Sequence, residues 1–448
     1  MNITIFVSLL FGMQLIYWMV GKRASKNLKS SEDYYLAGKS VRFFPLMMTF
    51  LATQVGGGLV LGAADEAYQF GWPVILYPLG ASLGLILLGM GVGRKLAQFP
   101  VSTVAQIFEV AYRSAALRKI AAALSVISLF MVIVAQIIAS SKFLVSVGFT
   151  NTPLFIAFWA IVIIYTVQGG IKAVISTDIV QAAFFSLVFL LCFAFVASAD
   201  PSSSFQLPQM ESFAAVSSKV TGWLLMPMLF VVIGQDMGQR CFAGGSPRIV
   251  SKAALWAGII TMAVCVVPIF LGVLGKNIGI DVPKGASVLM TVIEKTTNPW
   301  IAAFVGSAVL AAVISTATSL INAISANLSS DFLPKQNSMR FVQGITAAIS
   351  IAALFFAFYF DNVVDILIQS YDLSVSCLFV AIIAALFKRQ GNFLSALLSV
   401  LFGAAGFCLF RVFDAPFPKE LASVLLSLAG YGSGELIEWY RNREKAAA

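Results

Sequence analysis

Histidine is absent from this chain of 448 residues. Its absence excludes histidine-ligated metals, Ser-His-Asp hydrolysis and proton relays through imidazole. Cysteine is scarce and no CxxC pair occurs, so neither a zinc site nor a disulfide framework is indicated. We interpret the isolated cysteines as small buried hydrophobic residues: Cys192, Cys241, Cys265, Cys377 and Cys408.

Charged residues are scarce as well. They make up 11% of the chain, while hydrophobic residues make up 59%; soluble domains carry about 25% charged residues. Uninterrupted apolar stretches of about 20 residues recur along the whole length, which favours helices over a barrel. The sequence therefore predicts an all-α integral membrane protein embedded in a lipid bilayer.

Thirteen transmembrane helices are predicted, one for each apolar stretch. They lie near residues 2–20, 43–67, 72–94, 119–147, 153–168, 174–198, 217–241, 249–275, 299–330, 338–358, 362–387, 392–411 and 418–439. The first stretch has no basic residue before it, so we do not expect a cleavable signal peptide.

The basic residues predict the orientation. Six Lys and Arg follow the first span, between Lys22 and Arg42, and the positive-inside rule makes that loop cytoplasmic. Alternating sides from there places 22 of the 29 Lys and Arg inside. The predicted location is the cytoplasmic (inner) membrane, with the N-terminus outside and the C-terminus inside. The net charge of +9 then reflects topology, and no nucleic-acid partner is expected.

The span count permits an internal repeat. Without the first span and the last two, ten spans remain, and the two sets of five begin on opposite sides, as an inverted repeat requires. The predicted layout is an extra helix and basic loop (1–42), a first repeat (43–198), a second repeat (199–390), and two C-terminal helices with a tail (391–448).

The stretch "TQVGGG" (53–58) lies inside the second span. Three glycines each cost about 1 kcal/mol relative to alanine in a helix. Gly56, Gly57 and Gly58 fall roughly 20 Å from the span's start at Phe43, near the middle of a bilayer. Backbone unwound there must line a cavity or be satisfied internally. We favour a break whose carbonyls bind an ion or solute over simple GxxxG packing, because packing does not need Gln54.

Two later spans carry matching features. Span seven contains Pro227 in mid-span and then Gly234, Gln235 and Asp236, so it is also predicted to be interrupted. Interrupted helices at corresponding positions of two halves point to a transporter binding site. Span nine carries the adjacent hydroxyls Ser315 and Thr316. They suit a neutral oxygen cage for sodium, or else bond back to their own helix.

Four segments resemble the sodium:solute symporter family. "GGIKAVISTDIVQ" (169–181) is similar to the family signature, "SSEDYYLAGKS" to the segment before the first core helix, "GAADEAYQFG" to the exit from the broken helix, and "AAVISTATSLINAISANLSSDF" to the sodium-site helix. The resemblance covers residues 1 to roughly 440. It implies a LeuT-type fold of five plus five inverted helices, with sodium influx coupled to solute uptake.

The resemblance also implies site residues. Sodium would be bound by the carbonyls of Ala52, Val55 and Ala312 and the hydroxyls of Ser315 and Thr316. Asp178 matches the aspartate of the sodium exit path, although an N-cap role is an equal alternative.

The broken helix looks nearest to the choline-transporter branch, but Gln54 and the Gly234–Gln235 pair stand where that branch has tryptophans. Those rings would bind a quaternary ammonium through cation–π attraction. A different cage from Trp223, Phe230 and Tyr371 is conceivable, with core or lipid packing as the alternative for each.

Few polar side chains are expected near the midplane, where a solute would bind: Gln54, Gln136, Ser140, Gln235, Asp236, Gln369 and Asp372. Asp372 could bind an amine, a second sodium or a proton, or could bond a neighbouring span. We expect Asp236 to form an ion pair with Arg240 at i+4, and Asp65 and Glu66 to lie at a solvated helix end.

The sequence therefore predicts a sodium-coupled symporter of a small organic solute, amino acid-like or otherwise polar, with Na⁺ as the coupling ion and no organic cofactor. A proton-coupled symporter or exchanger on the same fold is an alternative, with Asp372 as the protonatable group. A channel or sensor on the scaffold is another. An enzyme is not expected, since no GxSxG or HExxH motif occurs.

Overall fold

The computed structural model describes most of the chain as helices. The described residues are 2–25, 31–148, 152–199, 216–333, 339–360, 362–388, 390–412 and 417–447. Within those ranges no β-strand occurs beyond one isolated parallel bridge between Val41 and Gly244.

Eight helices in the described part of the chain are long and apolar enough to cross a membrane. They are α1 (Thr4–Ser25), α4 (Trp72–Leu96), α5 (Ala115–Ser146), α7 (Gly170–Ser198), α10 (Pro247–Asn277), α11 (Pro299–Phe332), α13 (Val363–Lys388) and α14 (Phe393–Val412). The all-α membrane architecture is confirmed.

Two further spans are bent pairs of helices. The first joins α2 (Phe43–Gln54) to α3 (Gly58–Phe70) at 57°, and the second joins α8 (Ser217–Ile233) to α9 (Gln235–Ala243) at 41°. These pairs are the predicted second and seventh spans, so both predicted interruptions are present. Counting each pair as one span gives up to ten in the described residues.

Three more helices occupy the remaining predicted positions: α6 (Phe155–Ile164), α12 (Thr346–Tyr359) and α15 (Lys419–Ala447). The first two are short, and α15 carries a charged C-terminal part with Glu435, Glu438 and Arg441. Because none of the three qualifies as a span by length and composition, the count of thirteen and the inverted repeat stay predictions. Short helices connect the spans at Ser31–Leu36, Gln106–Tyr112 and Val288–Thr296.

The core surrounds the two bent pairs. Helix α2 packs against α7, α10 and α11, and α8 packs against α4 and α13. Helix α11 is the most enclosed span, with 89% of its most apolar window buried. Four of the five cysteines are buried as predicted, while Cys408 is exposed. We call the end of the bundle that holds Phe70 the Phe70 end, and the opposite one the Phe43 end.

Candidate ion and solute site

The first bent pair breaks at Val55, where the dihedral angles (φ −83°, ψ 88°) leave the helical region. The amide of Gly56 donates to the Gln54 carbonyl at 3.1 Å, and a π-helical turn over Gly58–Gly62 starts the second half. Ordinary i→i−4 pairing is therefore interrupted at mid-span. The position agrees with the break predicted from the triple glycine.

The three glycines are required by close neighbours. A Cβ at Gly56 would lie 2.5 Å from Thr316 Oγ1, one at Gly57 would lie 2.4 Å from Ala139 Cβ, and one at Gly58 would lie 2.2 Å from Leu367 Cδ1. The backbone of Gly57 is right-handed helical, with φ −55°. Here break and close packing occur together, so the two interpretations of "GGG" are not exclusive.

The hydroxyls of α11 converge on this break. Ser315 Oγ donates to the Ala52 carbonyl at 2.9 Å and lies equally close to the Ala312 carbonyl. Thr316 Oγ1 reaches the same Ala52 carbonyl at 3.2 Å. The structure thus brings four of the five predicted sodium ligands into contact, beside the fifth, Val55, at the break. All are neutral oxygen donors on buried residues, which suits a hard monovalent cation.

A second polar cluster adjoins these ligands. Thr53 Oγ1 donates to Ser319 Oγ at 3.0 Å, and Ser319 Oγ accepts from Arg240 Nη2 at 2.6 Å. Arg240 also pairs with Asp178 at 3.4 Å, and the Asp178 carboxylate accepts from Thr49 Oγ1 at 2.5 Å. Arg240 is 1% exposed and Asp178 0%, so the pair is fully enclosed.

Two sequence-based expectations are wrong in this cluster. Arg240 meets Asp236 only at the main-chain oxygen, at 2.8 Å, and its carboxylate partner is Asp178. Geometry explains this, because the guanidinium extends across to α7 instead of staying over its own helix turn. Asp178 is no N-cap, since it lies in mid-helix, eight residues past the kink at Gly170.

A cavity lies beside the break, on the side of the second bent pair. Its volume is about 20 Å³, room for about one water molecule, so a solute of several heavy atoms fits only when the walls move apart. Its walls include Gln54, Gly56, Gly58, Gln136 and Phe230 from the predicted solute set. The amide of Gly57 donates to Gln136 Oε1 at 2.7 Å, which fixes the carboxamide against the break.

Two wall residues were given other roles by the sequence. Tyr371, only a conceivable cage residue, stacks on Phe230 with ring centroids 4.4 Å apart. Asp236, expected in an ion pair, also lines the cavity.

Four predicted solute ligands lie elsewhere. Trp223 packs edge-on against Phe70, and Gln235 accepts from the Val104 amide at 2.7 Å in a neighbouring cavity. Gln369 is exposed on the far side of its helix. Asp372 is buried in an ion pair with Arg411 at 2.8 Å and accepts from Ser376, so it bonds a neighbouring span.

Ser140, also expected near the midplane, does not line the cavity either. Its hydroxyl donates to the Ile137 carbonyl and accepts from Trp159 Nε1 at 3.0 Å.

The expectation of a solvated end at Asp65 and Glu66 is wrong. Glu66 is 3% exposed and pairs with Lys219 at 3.3 Å, and it also accepts from Asn362. Asp65 pairs with Lys142 at 3.0 Å. Neighbouring helices supply the cations, so the Phe70 end of α3 is held by ion pairs on two sides.

Sequence reasoning missed Ser319 and Arg240. A signal for the first was available: Ser315, Ser319 and Asn322 follow at i, i+4 and i+7, the spacing of one helix face. Asn322 Oδ1 indeed accepts from Gln239 of α9 at 3.0 Å. Nothing local pointed Arg240 at Asp178, 62 residues away in the sequence.

Comparison with known families and proteins gives consistent matches. The model described as "SSF: Sodium:solute symporter family" matches residues 34–412. The sodium/pantothenate symporter of Haemophilus influenzae is 22% identical over 333 residues, covering 70% of this chain and 67% of that protein. The sodium/proline symporter of Salmonella typhimurium is 27% identical over 367 residues, covering 74% and 71%.

The high-affinity choline transporter 1 of Drosophila melanogaster is 25% identical over 325 residues. The match covers 68% of this chain and 52% of that protein, so the chain spans about half of that relative's length. These relatives are transporters, not enzymes.

Solved structures agree on the fold. A Na⁺-coupled sialic acid symporter in a substrate-bound outward-open state aligns with a TM-score of 0.75 at 17% identity, over 96% of this chain and 97% of that one. MhsT in complex with L-phenylalanine aligns with a TM-score of 0.57 at 12% identity, over 89% and 98%. At these identities the likeness extends to the architecture alone.

Proposed function

Because the chain belongs to the sodium:solute symporter family, we propose that it imports a small organic solute together with sodium by alternating access. Family and neighbours support sodium-coupled transport at the level of the class. Beyond that class, we also propose the arrangement of five plus five inverted helices, the kind of solute, and the orientation in the cytoplasmic membrane.

The observation that carries the proposal is the convergence of Ser315 and Thr316 on the Ala52 carbonyl at the break. We assign sodium to the carbonyl oxygens of Ala52, Val55 and Ala312 and to these two hydroxyls. An ion bound there ties α2 to α11 across the bundle. Sodium can then drive solute binding only to the extent that it binds the solute-binding conformation more tightly than the other conformation.

The cavity beside the break is the proposed solute site. Gln54 and Gln136 can each donate and accept hydrogen bonds, and Gln136 already holds the Gly57 amide. Solute and ion therefore share the same unwound segment, which gives a direct physical route for coupling. On release toward the Phe43 end, sodium would pass the Asp178–Arg240 pair.

The orientation predicted from the basic residues places the Phe70 end outside. Asp372, the protonatable group of the proton-coupled alternative, is held in an ion pair by Arg411.

The direct test is sodium binding to the purified full-length protein, followed by thermal unfolding over a sodium series with potassium chloride as the ionic-strength control. Wild-type protein should gain stability as sodium rises, because a ligand of the folded state shifts the unfolding equilibrium. Ser315→Ala and Thr316→Ala should each weaken the apparent sodium affinity by about tenfold, the loss of one ligand worth about 1.4 kcal/mol.

Ser307→Ala is the matched control. Ser307 lies on the same helix and is buried, but its hydroxyl bonds only the Ala303 carbonyl one turn back. Its sodium dependence should equal that of the wild type. Equal sodium responses in all four proteins, or none in the wild type, would contradict the proposed ion site.

A further inference from the structure

Asp236 has an unusual environment in this cavity. It is 5% exposed, lines the cavity wall, and its Oδ1 atom has no hydrogen-bond partner in the described part of the chain. A Cβ at Gly234 would lie only 2.6 Å from that oxygen. The glycine at the second break thus leaves space for the carboxylate at the start of α9.

Most other enclosed carboxylates of the described residues are paired with a cation. Glu66 pairs with Lys219, Asp331 with Arg118 and Asp372 with Arg411. Among the described residues Asp236 has no ion pair within 4 Å, and the other buried carboxylate without one there is Glu420 at the start of α15. An unpaired buried charge is costly and is expected to serve a function.

Arg240 lies near Asp236 but forms its ion pair with the Asp178 carboxylate instead. Its guanidinium is directed to Asp178, Thr49 and Ser319, and it reaches only the main chain of Asp236. One buried arginine therefore faces two buried aspartates. The cluster carries a net charge of −1 when all three are ionised, and one further cation would neutralise it.

The wall next to Asp236 is aromatic. Phe230 and Tyr371 stack with an interplanar angle of 28° and both line the cavity with Asp236. Ring faces attract ammonium groups, and this attraction grows when the cation is removed from water. A carboxylate beside ring faces is a recognition site for positively charged nitrogen.

We infer that the cavity takes a solute bearing a cationic nitrogen, an amine or an amino-acid ammonium group, with the Asp236 carboxylate as its counter-ion. The inference rests on the proposed function in taking this cavity as the solute site. The carboxamides of Gln54 and Gln136, which also line the cavity, would bind the polar remainder of the solute.

The relatives' solutes separate this class from others. Choline and proline carry a cationic nitrogen, whereas pantothenate carries a carboxylate without one. Purified full-length protein in saturating sodium is titrated with choline, ethanolamine and L-proline, and in parallel with pantothenate and glucose, following thermal stability and calorimetry. At least one ammonium compound should bind, and pantothenate and glucose should not.

Asp236→Asn and Asp236→Glu test the residue. Asparagine keeps the shape without the charge. It should lower the affinity for the ammonium compound by about 30-fold or more, as expected for removing one partner of an enclosed charge pair. Glutamate keeps the charge and should retain part of the affinity. Asp365→Asn makes the same change at an exposed position of α13 and should bind as the wild type does.

The response of the wild type to sodium alone distinguishes failure of this inference from failure of the proposed function. If sodium stabilises the wild type but no ammonium compound binds, or if only pantothenate or glucose binds, the inference is wrong and the proposed function stands. Equal affinity in Asp236→Asn also refutes it. If Asp236→Asn loses the sodium response instead, Asp236 is an ion ligand and the solute assignment fails. Absence of any sodium response in the wild type contradicts the proposed function itself.

Discussion

At the scale of single residues, the packing at the break depends on glycines that carry no Cβ atom. The three glycines at 56–58 leave space next to the backbone. Thr316, Ala139 and Leu367 occupy that space. The sequence predicted a special backbone here from composition alone. It could not predict which neighbours come close, because those contacts join positions far apart in the chain.

Gly58→Ala should destabilise the protein and weaken solute binding. The added methyl would lie 2.2 Å from Leu367 Cδ1 and 2.8 Å from Tyr77 Oη, both at the cavity wall. Overpacking of this kind costs about 1–3 kcal/mol. Thermal unfolding without ligand measures the loss.

Gly432→Ala is the control, since no atom lies within 4 Å of the corresponding Cβ in α15. Alanine there should be neutral or stabilising by up to about 1 kcal/mol. If Gly58→Ala matched it in stability and solute affinity, the close approach at the break would have no energetic weight.

At the scale of helices, one polar cluster joins four elements. Thr49 and Thr53 of α2, Asp178 of α7, Arg240 of α9 and Ser319 of α11 form a continuous set of hydrogen bonds. It begins one residue from the Ala52 carbonyl. Both bent pairs are therefore linked through the cluster, a connection that local spacing misassigned to Asp236.

Breaking the Asp178–Arg240 pair should be strongly destabilising. Removing one partner of an enclosed ion pair costs about 3–5 kcal/mol, because the other charge remains buried without compensation. Arg240→Gln, Asp178→Asn and the double variant are compared by thermal unfolding. The free energy of unfolding lost in the double variant should be much smaller than the sum of the two single losses.

Lys388→Gln with Glu435→Gln gives the matched cycle at an exposed pair. Lys388 and Glu435 are 2.8 Å apart, with side chains 53% and 37% exposed. Such pairs contribute about 0–1 kcal/mol to stability. The stability lost in the double variant should therefore nearly equal the sum of the two single losses. Additive losses at Asp178 and Arg240 as well would mean that the two side chains do not act as a unit.

At the scale of the whole molecule, the two ends of the bundle are held differently. The Phe43 end is joined by the enclosed cluster, and the Phe70 end by the ion pairs of Asp65 and Glu66. Apolar patterning predicted nearly every helix, while the glycines and Pro227 predicted both breaks. It placed Asp65 and Glu66 in solvent, because their partners Lys142 and Lys219 come from other helices.

Weakening the Phe70 end should open the cavity toward that side. Glu66→Gln removes the charge that pairs with Lys219 of the second bent pair, and Asp65→Asn removes the pairing with Lys142. The reporter is Leu367→Cys at the cavity wall, in a Cys408→Ser background. A membrane-impermeant maleimide added from outside should label it about fivefold faster for each kcal/mol lost from the closed state.

Glu435→Gln serves as the control, since it removes an exposed pair on α15. Its labelling rate should equal the parent's. An unchanged rate in the Asp65 and Glu66 variants would show that these contacts do not restrict access from the Phe70 end.

The shared carbonyl of Ala52 has a consequence for the transport cycle. Two hydroxyls lie within hydrogen-bond distance of one carbonyl oxygen, and a lone pair must face an ion for a hydroxyl to ligate it. If sodium binds at this proposed site, its arrival rotates both hydroxyls, and its departure returns their hydrogen bonds to the protein. The returning bonds would compensate the groups that the ion leaves behind, so the protein itself would assist release of the proposed ion.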